Sequence, residues 1–181
     1  MAKTAVRCLT MAELSAYGHP MPSPVGHTLG GVIVGLLSGI GQRERTVLAI
    51  LVVAANGPDV DFLWGRHGAE THSIGAAILA GLFTLIVSRG HVRLAVAVTL
   101  AWASHVLFDW LGSDDTAPIG VMALWPLSDA YYFANAYLFD AISRRYWLPN
   151  FWTHNLIAVV REIAILVPIV ALIGWWKGKG S

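Results

Sequence analysis

The sequence predicts an all-α integral membrane protein: a bundle of about five transmembrane helices with a re-entrant or interfacial segment between the fourth and fifth. Three observations predict it. Of 181 residues, 56% are hydrophobic and only 13% are charged, against about 25% charged in a soluble domain. The apolar residues fall in long runs separated by short polar turns, with a mean hydropathy of +0.60. Within those runs small residues recur every fourth position, which lets membrane helices approach closely.

The length suits one domain. Residues 1–24 are polar and proline-dotted and lack the apolar core of a signal peptide. They are expected to form a poorly ordered arm before a single helical membrane domain at 25–181. A net charge of +1 carries no nucleic-acid footprint. Seven histidines against one cysteine favour His/carboxylate metal chemistry over thiolates.

Helix 1 is expected from about Val25 to Ile40, with Gly31, Gly35 and Gly39 as a packing stripe that His27 continues backwards by one turn. Helix 2, from about Thr46 to Ala55, is short, and the Asn-Gly-Pro after it is a stop signal. Asp59 and Asp61 follow beside Phe62, Leu63 and Trp64. Two carboxylates against an apolar wall suit metal ligation, or else a solvated turn in which Asp caps the backbone. Helix 3 runs to about Ser88; His72, Ala76 and Ala80 share one of its faces, while His67 before it is expected to be solvated.

Helix 4, Val92 to Gly112, reaches the roughly 20 residues needed to cross a bilayer. It carries His105 and Asp109 one turn apart. Ionisable residues inside a span mark functional sites, and i, i+4 spacing lets both reach one point. The pair reads equally as a metal ligand or as hydrogen-bonded glue between helices. Residues 117–127 are apolar but broken by two prolines, hence re-entrant or interfacial. Residues 128–150, rich in aromatics with Arg144 and Arg145, suit an amphipathic segment on the membrane surface. Asp115 is a loop carboxylate that could support the site. Helix 5, about Asn155 to Trp176, places His154, Ala158 and Glu162 on one face. His154 and Glu162 are expected to support the site, although an Arg161–Glu162 pair would also account for the acid. Trp175, Trp176, Lys177 and Lys179 form an interface anchor.

Five alternating spans put the polar end of every helix on one side of the membrane. The short turns with Arg43, Arg45, Arg89 and Arg93 fall on the other side. Positive short loops face the cytoplasm, so the polar cluster is expected to face outward. The set is His27, Asp59, Asp61, His72, His105 and Asp109. Three imidazoles and three carboxylates suit Zn²⁺ above all, with Mn²⁺ or Fe²⁺ as alternatives, and provide for one ion or two.

The segments MPSPVGHTLGG, PDVDF, THS, HVLFD and WPLSD, in this order, resemble the YdjM-like family of membrane-bound, metal-dependent hydrolases. The resemblance runs from Met21 to about Asp129. It implies a multi-helix protein of the cell's inner membrane with a metal-dependent hydrolase site. On that pattern His27, Asp61, His72, His105 and Asp109 fall on the family's polar positions, and Asp59 is the neighbouring acid. The last fifty residues lie outside it, so His154 and Glu162 rest on spacing alone.

The expected function is therefore hydrolysis of a phosphoester in an amphiphilic or lipid substrate by metal-activated water. Asp59, Asp61 and Asp109 are the candidate catalytic carboxylates. The expected partners are membrane lipids and that substrate, with no nucleic acid. The alternative is a metal-ion or proton transporter using the same His/Asp cluster, since such residues also build ion pathways. A non-catalytic membrane scaffold would leave the gathered histidines without a role.

Overall fold

The computed structural model describes residues 22–40, 44–64, 67–114 and 118–179. These form five α-helices: α1 Pro24–Ser38, α2 Arg45–Asn56, α3 Ile74–Val87, α4 Val92–Leu111 and α5 Phe151–Gly178. The arm expected at residues 1–24 lies almost wholly outside the described residues.

Helix α1 is the hub, packing against α2, α4 and α5, while α4 also packs against α2 and α3. Three glycines explain this. A Cβ on Gly26 would stand 2.9 Å from the Glu162 carboxylate of α5. On Gly30 it would stand 2.9 Å from the Phe108 ring of α4, and on Gly31 it would stand 2.8 Å from the Leu51 carbonyl of α2. Each contact needs a bare backbone. Gly39, expected in the packing stripe, is instead the left-handed C-cap of α1 at φ 72°, with nothing within 4 Å of its Cβ position. The core where α1, α2 and α4 meet is built from Val34, Leu51, Ala54, Ala55, Ala97, Val98 and Ala101.

The outward faces are apolar. On α3, Leu79, Phe83 and Ile86 are 56%, 67% and 76% exposed, which suits lipid and not water. Three helical stretches are long and apolar enough to cross a membrane: Arg45–Leu63, Val92–Leu111 and Phe151–Gly178. Helices α1 and α3, at 15 and 14 residues, give only about 21–22 Å of rise against roughly 30 Å of hydrocarbon.

Helix α2 does not stop at Asn-Gly-Pro. Gly57 keeps right-handed helical angles, and the chain tightens into a 3-10 helix over Gly57–Trp64. Proline at the second position of the new turn needs no N–H there. The solvated turn considered for Asp59 and Asp61 is thereby replaced by a helical segment.

Among the described residues, those between α4 and α5 form no helix. They fold back as irregular chain pinned by two bridges, Gly112 with Phe139 and Val121 with Tyr132. Met122 N–H donates to the Gly68 carbonyl and Ile74 N–H to the Ala123 carbonyl, both at 2.9 Å. This cover thereby ties to the loop before α3. The far end carries the expected anchor, with Lys179 Nζ 3.8 Å over the Trp175 ring.

Candidate metal centre

Helix α4 supplies the floor of the site. His105 Nε2 lies 3.1 Å from Asp109 Oδ2, one turn along. The other nitrogen, Nδ1, donates to the Ala55 carbonyl of α2 at 2.7 Å. A carbonyl only accepts, so Nδ1 carries a proton and Nε2 is the nitrogen turned inward. His72, from the loop before α3, brings its Nε2 to 3.1 Å from His105 Nε2 and 3.3 Å from Asp109 Oδ2. Its Nδ1 lies 3.0 Å from Asp61 Oδ2.

His27, in the first turn of α1, stacks on His105 with ring centroids 3.6 Å apart and sets Nε2 3.4 Å from Asp109 Oδ1. Asp59 closes the set from the 3-10 helix, with Oδ1 3.8 Å from His72 Nε2 and 3.7 Å from His105 Nε2. The side chains of His27, His72, His105 and Asp109 are fully buried, whereas that of Asp59 is 22% exposed.

These donors fit a divalent cation. Two triads, His27–His105–Asp109 and Asp59–His72–His105, each place three ligand atoms within 4.8 Å of one another, and they share His105. Among the described residues, both nitrogens of His27 and both carboxylate oxygens of Asp109 are buried with no hydrogen-bond partner. Imidazoles stand 3.1–3.4 Å from Asp109 without aligning to hydrogen-bond it. Leaving such groups unsatisfied costs about 1–3 kcal/mol each or more. A cation among them relieves that cost.

The surrounding groups orient these donors. Asp61 accepts from Thr71 Oγ1 at 3.0 Å, from His67 Nδ1 at 2.9 Å and from His72 Nδ1. A ligating histidine characteristically donates its other N–H to a carboxylate or a backbone carbonyl, as His72 does to Asp61 and His105 to Ala55. Asp61, His67 and His72 also gather closely enough to hold an ion, but their mutual hydrogen bonds already occupy them. Trp102 of α4 donates to the Thr71 carbonyl at 2.8 Å. It passes so close to Gly57 that a Cβ there would meet its ring at 2.6 Å.

His67 corrects the expectation of a solvated residue. It is packed between Asp61 and Phe62, whose ring it stacks on with centroids 3.8 Å apart. The available signal was the short connection between Asp61 and His72, which leaves His67 little room to leave the site. Burial pulls the His67 pKa below its ordinary value, with Asp61 opposing. Burial also pulls on His72, but the carboxylates of Asp59 and Asp61 beside it outweigh that and raise the ring to about 9 in the ion-free protein.

The supporting residues divide. Glu162 does not touch the donor set or pair with Arg161, which instead holds Asp140 at 2.6 Å. Fully buried on α5, Glu162 accepts from Ser23 N at 2.5 Å, Ser23 Oγ and Gly26 N at 3.0 Å. It caps the start of the helix that carries His27, where negative charge is favoured. His154 lies outside the cluster, and its Nε2 donates to the Ala141 carbonyl at 2.7 Å, pinning the cover chain. Asp115 lies outside the described residues. Its neighbour Asp114 accepts from Gly120 N at 2.5 Å.

No curated protein and no solved structure matches the chain. The model of one family, described as YdjM inner membrane protein, matches residues 21–180. That span contains every described donor and both helices that frame Glu162. On this match, the chain belongs to the YdjM inner membrane protein family.

Proposed function

We propose that this protein is a multi-pass, metal-dependent hydrolase of the inner membrane that cleaves a phosphoester in an amphiphilic or lipid substrate. The observation that carries the reading is the buried donor set of His27, Asp59, His72, His105 and Asp109, opening to solvent only through Asp59. Its ligand types suit Zn²⁺ first, then Mn²⁺ or Fe²⁺, as one ion or two. When bound, the cation supplies Lewis acidity that acidifies water and polarises a phosphoryl oxygen.

The chain's own residues do the rest. Asp59 is the cluster carboxylate that water can reach, and it accepts the proton of the attacking water. Asp109 and His105 hold the floor rigidly, because both come from one turn of α4. Asp61 fixes the ring orientation of His72. All five helices cross the membrane in this reading. The shortness of α1 and α3 recesses His27 and His72 below the outer surface, within reach of a lipid headgroup.

The test is turnover of a phosphoester panel by detergent-purified protein, with chelator and with added Zn²⁺ or Mn²⁺. A hydrolase turns over in micelles without a gradient. Flux of metal or protons in sealed vesicles, with no ester cleaved under any metal, would assign the same donor set to transport.

A further inference from the structure

At the rim of the centre an arginine is held in an unusual way. The guanidinium carbon of Arg144, in the chain that covers the site, lies 3.3 Å above the centre of the Phe62 ring. His67 stacks on the same ring at 3.8 Å. Two groups this close cannot share one face, so Phe62 is sandwiched between Arg144 outside and His67 inside. Phe62 follows Asp59 by three residues in a 3-10 helix, where side chains at i and i+3 eclipse. The arginine is therefore aligned with the one donor that solvent reaches. Burial lowers its pKa, and the carboxylates of Asp59 and Asp61 oppose that shift, which places it in the field of the acidic cluster.

Among the described residues, no hydrogen-bond or ion-pair acceptor engages the Arg144 guanidinium. Stacking on an aromatic face fixes its plane and leaves the N–H edge free. That edge matches two oxygens of a phosphate. A guanidinium with no direct acceptor at the mouth of a metal-binding centre serves a ligand that brings negative charge there.

We infer that Arg144, seated on Phe62, is the anion clamp of this centre and binds the phosphoryl oxygens of the ester. The inference rests on the hydrolase reading and names its substrate contact. Arg144 lies outside the donor set, so it governs anion affinity without governing metal content.

The experiment uses full-length, Zn²⁺-loaded protein in detergent, with metal content measured on every sample. Binding of inorganic phosphate, and separately of a short-chain lysophosphatidic acid, is measured for wild type, Arg144→Met and Arg144→Lys. Methionine keeps apolar contact with Phe62 and removes the charge. Metal content should stay at the wild-type value while anion affinity falls about 10–100-fold in Arg144→Met, with lysine recovering part of it. Loss in the phosphate arm alone or in both identifies headgroup recognition, and loss in the lipid arm alone identifies a lipid phosphate as the source. Wild-type affinity in Arg144→Met in both arms overturns the clamp, as does a metal-loaded wild type that binds neither anion. If Arg144→Met fails to fold, Arg144→Lys decides: a several-fold loss supports the clamp, and unchanged affinity overturns it. A wild type that retains no metal sinks the hydrolase reading. In that case, anion binding that still depends on Arg144 keeps the clamp, and anion binding that is absent or independent of Arg144 sinks it too.

Discussion

The Nε2 atoms of His72 and His105 face each other at 3.1 Å, while the opposite nitrogen of each ring is anchored on Asp61 and on the Ala55 carbonyl. Two rings locked from behind and pointed at one spot are preorganised for a shared ligand. Breaking one anchor should loosen a ring without removing a donor. Asp61→Asn is expected to weaken Zn²⁺ affinity about 10–100-fold, the usual cost of disturbing an orienting partner. Asp109→Asn should abolish tight binding. Competition with a fluorescent chelator measures both, and equal losses in the two variants would argue that Asp61 is itself a ligand.

Helix packing gives a prediction independent of metal. At Gly31 a Cβ would meet the Leu51 carbonyl at 2.8 Å and the Val52 Cα at 3.0 Å, both backbone atoms. Gly31→Ala should destabilise the protein by about 1–3 kcal/mol through overpacking. Gly39→Ala meets nothing within 4 Å and carries only the strain of φ 72°, about 1 kcal/mol. Thermal unfolding in detergent should rank Gly31→Ala as the less stable. The reverse order would count against α1 as the hub.

The Glu162 cap links α5 to the site. Glu162→Ala leaves the Ser23 N–H and hydroxyl buried without their acceptor, at about 1–3 kcal/mol each. Both the melting temperature and Zn²⁺ affinity should fall, because the capped turn carries His27. Ligand loss alone would lower affinity and spare the ion-free melting temperature. A stable Glu162→Ala protein with wild-type affinity would remove the residue from the account.

Membrane topology is testable on a Cys8→Ser background. Tyr146, on the cover chain, is 74% exposed, and Arg93 lies exposed at the opposite end of the bundle. An impermeant maleimide should label Tyr146→Cys in intact cells and Arg93→Cys only after permeabilisation. Labelling of both in intact cells would contradict the alternating spans, and the reversed pattern would invert the orientation.

Much of this was legible in the sequence because the signals are local. Apolar runs and turn residues located all five helices. Counting their directions gathered His27, Asp59, His72, His105 and Asp109 at one end, where the structure brings their side chains together. What escaped depends on tertiary contact. His67 looked solvated until Phe62 covered it. Asn-Gly-Pro looked like a stop because the 3-10 continuation is held by packing, with Trp102 against Gly57. Glu162 shares a helix face with His154, yet the two act at different places because α1 starts beside one and the cover chain beside the other. Gly39 kept the stripe's spacing but fell one residue past the end of α1, where spacing no longer implies contact.

The central claim is that the His/Asp cluster is a metal centre, and elemental analysis tests it most directly. Wild type and His105→Ala would be purified in detergent, incubated with Zn²⁺, Mn²⁺ or Fe²⁺, dialysed and measured by mass spectrometry. His105 belongs to both triads, so its loss removes a donor whichever triad holds the ion. The account predicts metal retained by wild type and a fall to background in a folded His105→Ala protein. Wild type at background with all three metals, or His105→Ala retaining the wild-type content, would contradict it.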